Sequence, residues 1–114
     1  MSIQVTTRQM GEVSVIAVVG RITIGEGSNA LRQAVRDIVE RKQLKILVNL
    51  GEVPYVDSSG IGELVEAYST VTKSGGQLKL SNVTKRVRDL LKISKHDLLF
   101  DIHDDEAAAA QSFR

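Results

Sequence analysis

The 114-residue sequence predicts a single α/β domain in which helices pack against a mixed β-sheet. Three observations lead to this fold class. Apolar runs of strand length alternate with amphipathic stretches of helix length, one of those runs is apolar at nearly every position, and two Val- and Thr-rich runs open the chain on either side of a tight turn. With 42% hydrophobic and 25% charged residues, the chain has the composition of one globular domain with its own core.

The predicted hairpin at the start comprises Ile3 to Arg8 and Glu12 to Ile24, which are rich in Val, Ile and Thr, with Gly11 in the turn. Glycines and polar residues then end the second strand, and Ser28 or Asn29 is predicted to cap the first helix. Apolar residues recur at helical spacing along that helix, at Leu31, Val35, Ile38 and Val39. An antiparallel start thus leads into the alternating helices and strands that are typical of a parallel sheet.

The run from Leu44 to Leu50 is predicted to be the central strand, because nearly every position is apolar, as in a strand covered on both faces. After a turn at Gly51 to Val56, a second helix is predicted to end at Gly75 and Gly76, since glycine is typical of helix C-termini. Its apolar stripe comprises Ile61, Leu64, Val65, Tyr68 and Val71. Gln77 to Leu80 is predicted to form a short strand.

Three further elements are predicted in the last third of the chain. Ser81 or Asn82 is predicted to cap a third helix, Leu98 to Ile102 to form a last strand, and Ala107 to Ala110 to finish a short helix. The apolar face of the third helix comprises Val83, Val87, Leu90 and Leu91. The sequence shows no linker and no internal repeat, so residues 1–114 are predicted to form one domain.

The composition narrows the classes of function. Without cysteine, the chain has no disulfides, no thiol chemistry and no cysteine-based metal sites. Its net charge of +1 supplies no overall field toward nucleic acid or anionic lipid, and two Tyr and two Phe are too few for base stacking. The longest apolar stretch, Val13 to Val19, is far shorter than the ~20 residues of a membrane-spanning helix, and Met1 to Met10 lacks a signal-peptide core. We therefore expect a cytoplasmic protein that binds no nucleic acid and does not insert into membranes.

One segment, Val53 to Gly62, leaves the carboxyl end of the predicted central strand, where α/β sheets meet their ligands and partners. It presents Ser58 and Ser59 at the predicted start of a helix, where unpaired backbone N–H groups and the helix dipole favour an anion such as phosphate. Gly60 and Gly62 leave the backbone open to a close approach. The same residues also suit a helix cap and a turn, and spacing alone favours that structural interpretation.

The run Asp57-Ser58-Ser59-Gly60-Ile61-Gly62, preceded by the strand Ile46 to Leu50, resembles the STAS domain of bacterial anti-sigma factor antagonists, as does the order of elements over nearly the whole chain. The resemblance implies a STAS-like α/β fold. It also implies a partner switch, in which an anti-sigma factor that is a serine kinase phosphorylates Ser58 and a serine phosphatase removes the phosphate. The unphosphorylated form would bind the anti-sigma factor and release the sigma factor, and phosphorylation would end that binding.

The resemblance places the predicted partner-binding residues in two segments. Asp57 would orient the loop and contact the partner, and Ser59 would cap the helix or accept phosphate less readily. The stretch Gly20 to Gly27 departs from the more acidic family pattern, so its residues bear on the choice of partner. The full predicted set is Arg21, Thr23, Asp57, Ser58, Ser59, Gly60, Ile61 and Gly62.

The favoured function is therefore binding and not catalysis. We expect no catalytic residue, no metal and no cofactor, because ATP and magnesium would belong to the kinase. One alternative keeps the fold without the switch, as a constitutive STAS binding module that supports a transporter or a larger signalling assembly. An esterase or nucleotide-binding enzyme is a third hypothesis.

Three other patterns have less specific interpretations. Gly25 to Ala30 matches the G-x-G-x-x-A dinucleotide fingerprint, but it follows a predicted hairpin strand and reads as a glycine-rich turn before a helix. His96 and His103 lie near several aspartates, and exposed loop positions are favoured over a metal site. The basic stretch on and after the third helix is either a solvated face or a docking patch for an acidic partner surface, and it comprises Lys85, Arg86, Arg88, Lys92 and Lys95.

Overall fold

The computed structural model describes residues 3–113, which form one five-stranded sheet and four helices. The strands lie in the order β1-β2-β3-β4-β5; β1 is antiparallel to β2, and the other neighbours are parallel. In chain order the elements are β1 (Gln4–Met10), β2 (Val13–Val19), α1 (Glu26–Glu40), β3 (Lys45–Glu52), α2 (Ser58–Lys73), β4 (Gln77–Ser81), α3 (Lys85–Ile93), β5 (Asp101–His103) and α4 (Glu106–Gln111). The predicted α/β fold with a mixed sheet is confirmed.

The helices α1, α2 and α3 cover one face of the sheet, which we call the helical face. Side chains alternate between the two faces of a strand, so Ile46, Val48 and Leu50 of β3 point to this side. They meet Leu31 of α1 and Leu64 of α2 in the main core. Burial of each such side chain contributes about 1.5–3 kcal/mol, so this face supplies most of the apolar stabilisation.

The opposite face, which we call the α4 face, is covered within residues 3–113 by the short helix α4 and the residues after it. Its apolar core is small and contains Val13, Val15, Leu47 and Ala109. Because β3 is buried on both faces, the prediction that it lies at the centre of the sheet is confirmed.

The first predicted hairpin is confirmed, but its second strand is shorter than expected. β2 ends at Val19, because Gly20 has a φ of 115° and turns the chain away from the sheet. Ile22 keeps one isolated bridge, to Val56. The predicted caps of α1 are wrong: the N-cap is Gly25, and Ser28 lies inside the helix, where its hydroxyl donates to the carbonyl of Thr23.

Two predicted boundaries in the last third also change. The cap of α3 is Thr84, whose hydroxyl accepts from the N–H of Val87, because Ser81 remains in β4. The last strand begins at Asp101 rather than Leu98, since a turn follows α3 and leaves the Leu98 side chain 94% exposed. The predicted short helix is confirmed as α4.

Candidate functional site

The candidate site is built around Asp57, the N-cap of α2. One carboxylate oxygen of Asp57 accepts from the N–H of Gly60 at 2.8 Å, as a helix cap does. The other accepts from the N–H of Ile24 at 3.1 Å. One side chain therefore joins the start of α2 to the segment that precedes α1, and the two predicted parts of the site meet.

Backbone contacts hold these two segments together more closely still. The N–H of Ile22 donates to the carbonyl of Tyr55 at 3.1 Å, and the N–H of Asp57 donates to the carbonyl of Ile22 at 3.2 Å. A Cβ on Gly60 would collide with that Ile22 carbonyl, and a Cβ on Gly27 would lie 2.8 Å from the carbonyl oxygen of Arg21. Both glycines therefore have a steric reason to be glycine.

The predicted phosphoacceptor, Ser58, is the first residue of α2 and is exposed. Among the described residues its hydroxyl has no hydrogen-bond partner, because Asp57 already caps the helix. The expectation that Ser59 caps the helix is wrong, because Asp57 is the N-cap and Ser59 is the second residue of α2; Ser59 is half-buried. Gly60 and Ile61 are buried, so they support the loop from beneath, whereas Gly62 is exposed and a Cβ there would meet nothing within 4 Å.

A groove of about 560 Å³ runs between α1 and α2 beside Ser59. Arg32 and Glu63 line this groove and form an ion pair, with Nη2 and Oε1 2.7 Å apart and Glu63 only 5% exposed. The hydrogen bond with Glu63, together with its charge, raises the pKa of Arg32. Ile24 also lines the groove and is 78% exposed.

Ile24 is not among the predicted site residues, because the pattern that begins at Glu12 assigns it to a strand and an apolar residue there carries no other signal. Tyr55 is likewise not predicted as a partner of arginines. The guanidinium of Arg21 lies 5.1 Å from the centre of the Tyr55 ring, and that of Arg86 lies 5.4 Å from it. Thr23, the other predicted residue of this segment, is half-buried and accepts two hydrogen bonds from Ser28 through its carbonyl.

The two histidines lie in different local settings. Nδ1 of His96 contacts the hydroxyl of Ser94, and Nε2 of His103 lies 3.1 Å from Asp101. In the described part of the chain, no group of three His, Cys, Asp or Glu side chains is arranged to hold a metal ion. Nor does any helix within residues 3–113 have the length and apolar character needed to cross a membrane.

The sequence is similar to one protein family over most of its length. The model of the STAS domain family matches residues 4–109. The anti-sigma-B factor antagonist of Bacillus subtilis (strain 168) is 29% identical over 102 residues, which span 90% of this chain and 92% of that protein. The anti-sigma F factor antagonist of Paenibacillus polymyxa is 28% identical over 83 residues, 72% of this chain and 71% of that one.

Solved structures share the fold. A putative anti-sigma factor antagonist from Thermotoga maritima superposes with a TM-score of 0.88 at 22% identity, over 96% of this chain and 94% of that one. The Bacillus protein SpoIIAA in its phosphorylated form gives 0.74 at 17% identity, over 95% and 97%. A sulfate transporter family protein from Wolinella succinogenes gives 0.76 at 21% identity, over 88% and 86%.

Proposed function

The chain belongs to the STAS domain family, and we propose that it acts as an anti-sigma factor antagonist controlled by phosphorylation at Ser58. The unphosphorylated protein binds an anti-sigma factor that is also a serine kinase, and so releases a sigma factor. A serine phosphatase restores the binding form. The observation that carries this proposal is an exposed Ser58 hydroxyl at the start of α2, free of hydrogen bonds among the described residues.

The surroundings of Ser58 support its role as the phosphoacceptor over Ser59. Asp57 uses one carboxylate oxygen for Gly60 and the other for Ile24, so capping of the helix does not require the hydroxyl of Ser58. Ser59 is half-buried beside the groove and is less accessible to a kinase. A kinase active site can therefore reach Ser58 without unfolding α2.

A phosphate on Ser58 changes binding more than it changes the fold. It adds about −1.5 to −2 charges, and the N-terminus of α2 tolerates them because its N–H groups and dipole favour an anion. A partner surface that fits the neutral hydroxyl must instead desolvate this charge. Each ~1.4 kcal/mol of that cost lowers the affinity tenfold, so a modest penalty ends binding.

The shape around Ser58 suits a partner that approaches closely. Gly62 is exposed on α2 with open space where a Cβ would stand, although glycine costs about 0.5–1 kcal/mol relative to alanine within a helix. Ile24, which lines the groove between α1 and α2, offers an exposed apolar anchor. We infer that the anti-sigma factor covers Ser58, Gly62 and Ile24 together.

The test is a pull-down from a lysate of the native host with wild type, Ser58→Ala, Ser58→Asp and Ser59→Asp, followed by mass spectrometry. We expect wild type, Ser58→Ala and Ser59→Asp to retain a serine-kinase-like anti-sigma factor and Ser58→Asp to lose it. That factor, purified and supplied with ATP and magnesium, should then phosphorylate wild type and leave Ser58→Ala unmodified. Loss of binding by Ser59→Asp with retention by Ser58→Asp would overturn the assignment of Ser58.

A second candidate is a constitutive STAS binding module. It is favoured by the fold shared with the sulfate transporter family protein, because that likeness shows the fold serving in another setting. Equal retention of one partner, or of membrane-transport components, by wild type and Ser58→Asp would support the module and reject the switch.

A further inference from the structure

We propose that Arg21 and Arg86, both stacked on Tyr55, form a cationic docking point that binds an acidic segment of the anti-sigma factor. This inference rests on the proposed function, and it adds the chemistry of the partner. Both guanidinium carbons lie within 5.4 Å of one ring centre, at 5.1 and 5.4 Å. We call these three residues the arginine stack.

The three residues come from three separate segments that meet at the carboxyl end of the sheet. Arg21 lies between β2 and α1, Tyr55 between β3 and α2, and Arg86 in the first turn of α3. The hydrogen bond from the N–H of Ile22 to the carbonyl of Tyr55 fixes the first two segments against each other. Because the ring orders both side chains before any partner arrives, binding them costs less conformational entropy.

The charges of the stack are unpaired. Among residues 3–113, neither Arg21 nor Arg86 forms an ion pair, whereas Arg8 pairs with Glu106 and Arg32 with Glu63. Both arginines of the stack are exposed. The first turn of α3 contains no acidic residue, so the positive end of the helix dipole adds to the same potential.

These features fit a carboxylate-bearing partner. Because both guanidiniums contact one ring, the distance between them is at most the sum of their two distances to the ring centre. That separation is comparable with the ~8–10 Å Debye length of physiological salt, so both charges attract the same acidic segment. Guanidinium forks match carboxylates in bidentate pairs, so aspartates and glutamates of an extended partner segment suit them. Tyr55 precedes Ser58 by three residues in the chain, so a partner that binds at Ser58 also reaches the arginine stack.

The first test needs no natural partner. Wild type is titrated with a hexaglutamate peptide and, separately, with a hexalysine peptide, while amide and arginine Nε signals are followed by NMR. We expect hexaglutamate alone to shift the signals of Arg21, Tyr55 and Arg86. The double variant Arg21→Glu, Arg86→Glu should lower the affinity for hexaglutamate about tenfold or more, as charge reversal at a docking site does.

Matched variants separate the stack from general charge. The control variant Lys42→Glu, Lys73→Glu makes the same change in net charge at two exposed positions, one just after α1 and one at the end of α2. Hexaglutamate should still shift the signals of Arg21, Tyr55 and Arg86 in this variant. Tyr55→Phe keeps the ring and should bind hexaglutamate as wild type does, whereas Tyr55→Leu should weaken it several-fold. Shifts spread over all basic residues, or equal binding by Tyr55→Leu, would overturn the proposal.

The second test uses the anti-sigma factor identified by the pull-down. Its association rate should fall at least about tenfold with Arg21→Glu, Arg86→Glu and become less dependent on salt. If that variant binds normally and still switches at Ser58, the docking point is rejected and the proposed function stands. Arginine Nε signals that move on phosphorylation of the isolated protein, without an effect of the variant on docking, would assign the stack to the phosphate and overturn the proposal. A host lysate with no anti-sigma factor partner would reject both proposals.

Discussion

Two regions of the domain are held together by different means: the α4 face, and the region where Ile22, Tyr55, Asp57 and Gly60 meet beside Ser58, which we call the Ser58 end. Around Ser58, backbone groups bond to one another or to a single carboxylate, and two glycines allow the segments to touch. On the α4 face, charged side chains hold the helix: Glu106 binds Arg8 and Asn49, and Lys79 binds Ser112. A substitution that adds volume should therefore destabilise the Ser58 end most, and the loss of a side-chain charge should destabilise the α4 face.

The reason for the difference lies in how much apolar surface each region buries. α4 has six residues, too few to be stable as an isolated helix, and the apolar core beneath it is small. Lys79 is almost fully buried there, with Nζ 2.8 Å from the hydroxyl of Ser112 and 3.1 Å from Asp101. The Ser58 end rests on the larger core, so its exposed side chains are left available for a partner.

The largest expected effect is that of Gly60→Ala. The added Cβ collides with the backbone carbonyl of Ile22, which cannot move without breaking the contacts of Tyr55 and Asp57. We expect a loss of about 3 kcal/mol in the free energy of unfolding, measured by urea denaturation.

Gly62→Ala is the matched control, two residues further along the same helix. Its Cβ meets nothing within 4 Å, so alanine should raise the free energy of unfolding by about 0.5–1 kcal/mol. Equal effects of the two substitutions would show that the close approach at Ile22 does not govern this region.

The second effect is that of Asp57→Ala, which removes the cap of α2 and the bond to the N–H of Ile24. We expect a loss of about 2 kcal/mol, with faster hydrogen exchange at the amide of Ile24. Asp57→Asn keeps an acceptor for Gly60 but turns an amide donor toward Ile24, so it should lose about half as much. An unchanged exchange rate at Ile24 in Asp57→Ala would contradict the bridging role of this carboxylate.

Much of the fold could be predicted from periodicity, because β3 and the helices of the helical face bury long apolar patterns. Boundaries that depend on backbone geometry could not. The turn at Gly20 ends β2 although β-branched residues continue to Ile24, and Leu98 is apolar yet exposed. Local composition reports the preference for a strand, whereas tertiary contacts decide where the strand ends.

The residues of the site divide in the same way. Asp57 and Ser58 could be predicted from a local motif at a helix start, and the structure places them there. Tyr55 and its arginines could not, because their contact joins residues that lie more than thirty positions apart on each side. No pattern within one segment of the sequence reports such a contact.

The smallest effect concerns charge on the α4 face. Hydrogen bonds from Arg8 and then Asn49 hold the pKa of Glu106 below its ordinary value of 4.5. Because the pKa is lower in the folded state, the stabilisation is fully present above pH 4.5 and is lost as the pH falls through the folded value. The pKa of Asp101 is also lowered. Burial raises this pKa, but the hydrogen bonds and charges of Lys79 and His103 together outweigh burial.

Acidification below pH 4.5 should therefore loosen α4 before it affects the Ser58 end. Hydrogen exchange at the amides of Ala108 and Ala109, followed from pH 7 down, measures the loosening of α4, and exchange at the amide of Gly60 measures that of the Ser58 end.

Glu106→Gln should lower the free energy of unfolding by about 1 kcal/mol at neutral pH and flatten the dependence of stability on pH, because the titrating carboxylate is gone. Glu12→Gln, at an exposed carboxylate paired with Lys45, should leave the dependence nearly unchanged since water screens that pair. If α4 and the Ser58 end instead loosen together along the same pH curve, the two faces form one cooperative unit and the contrast between shape and charge fails.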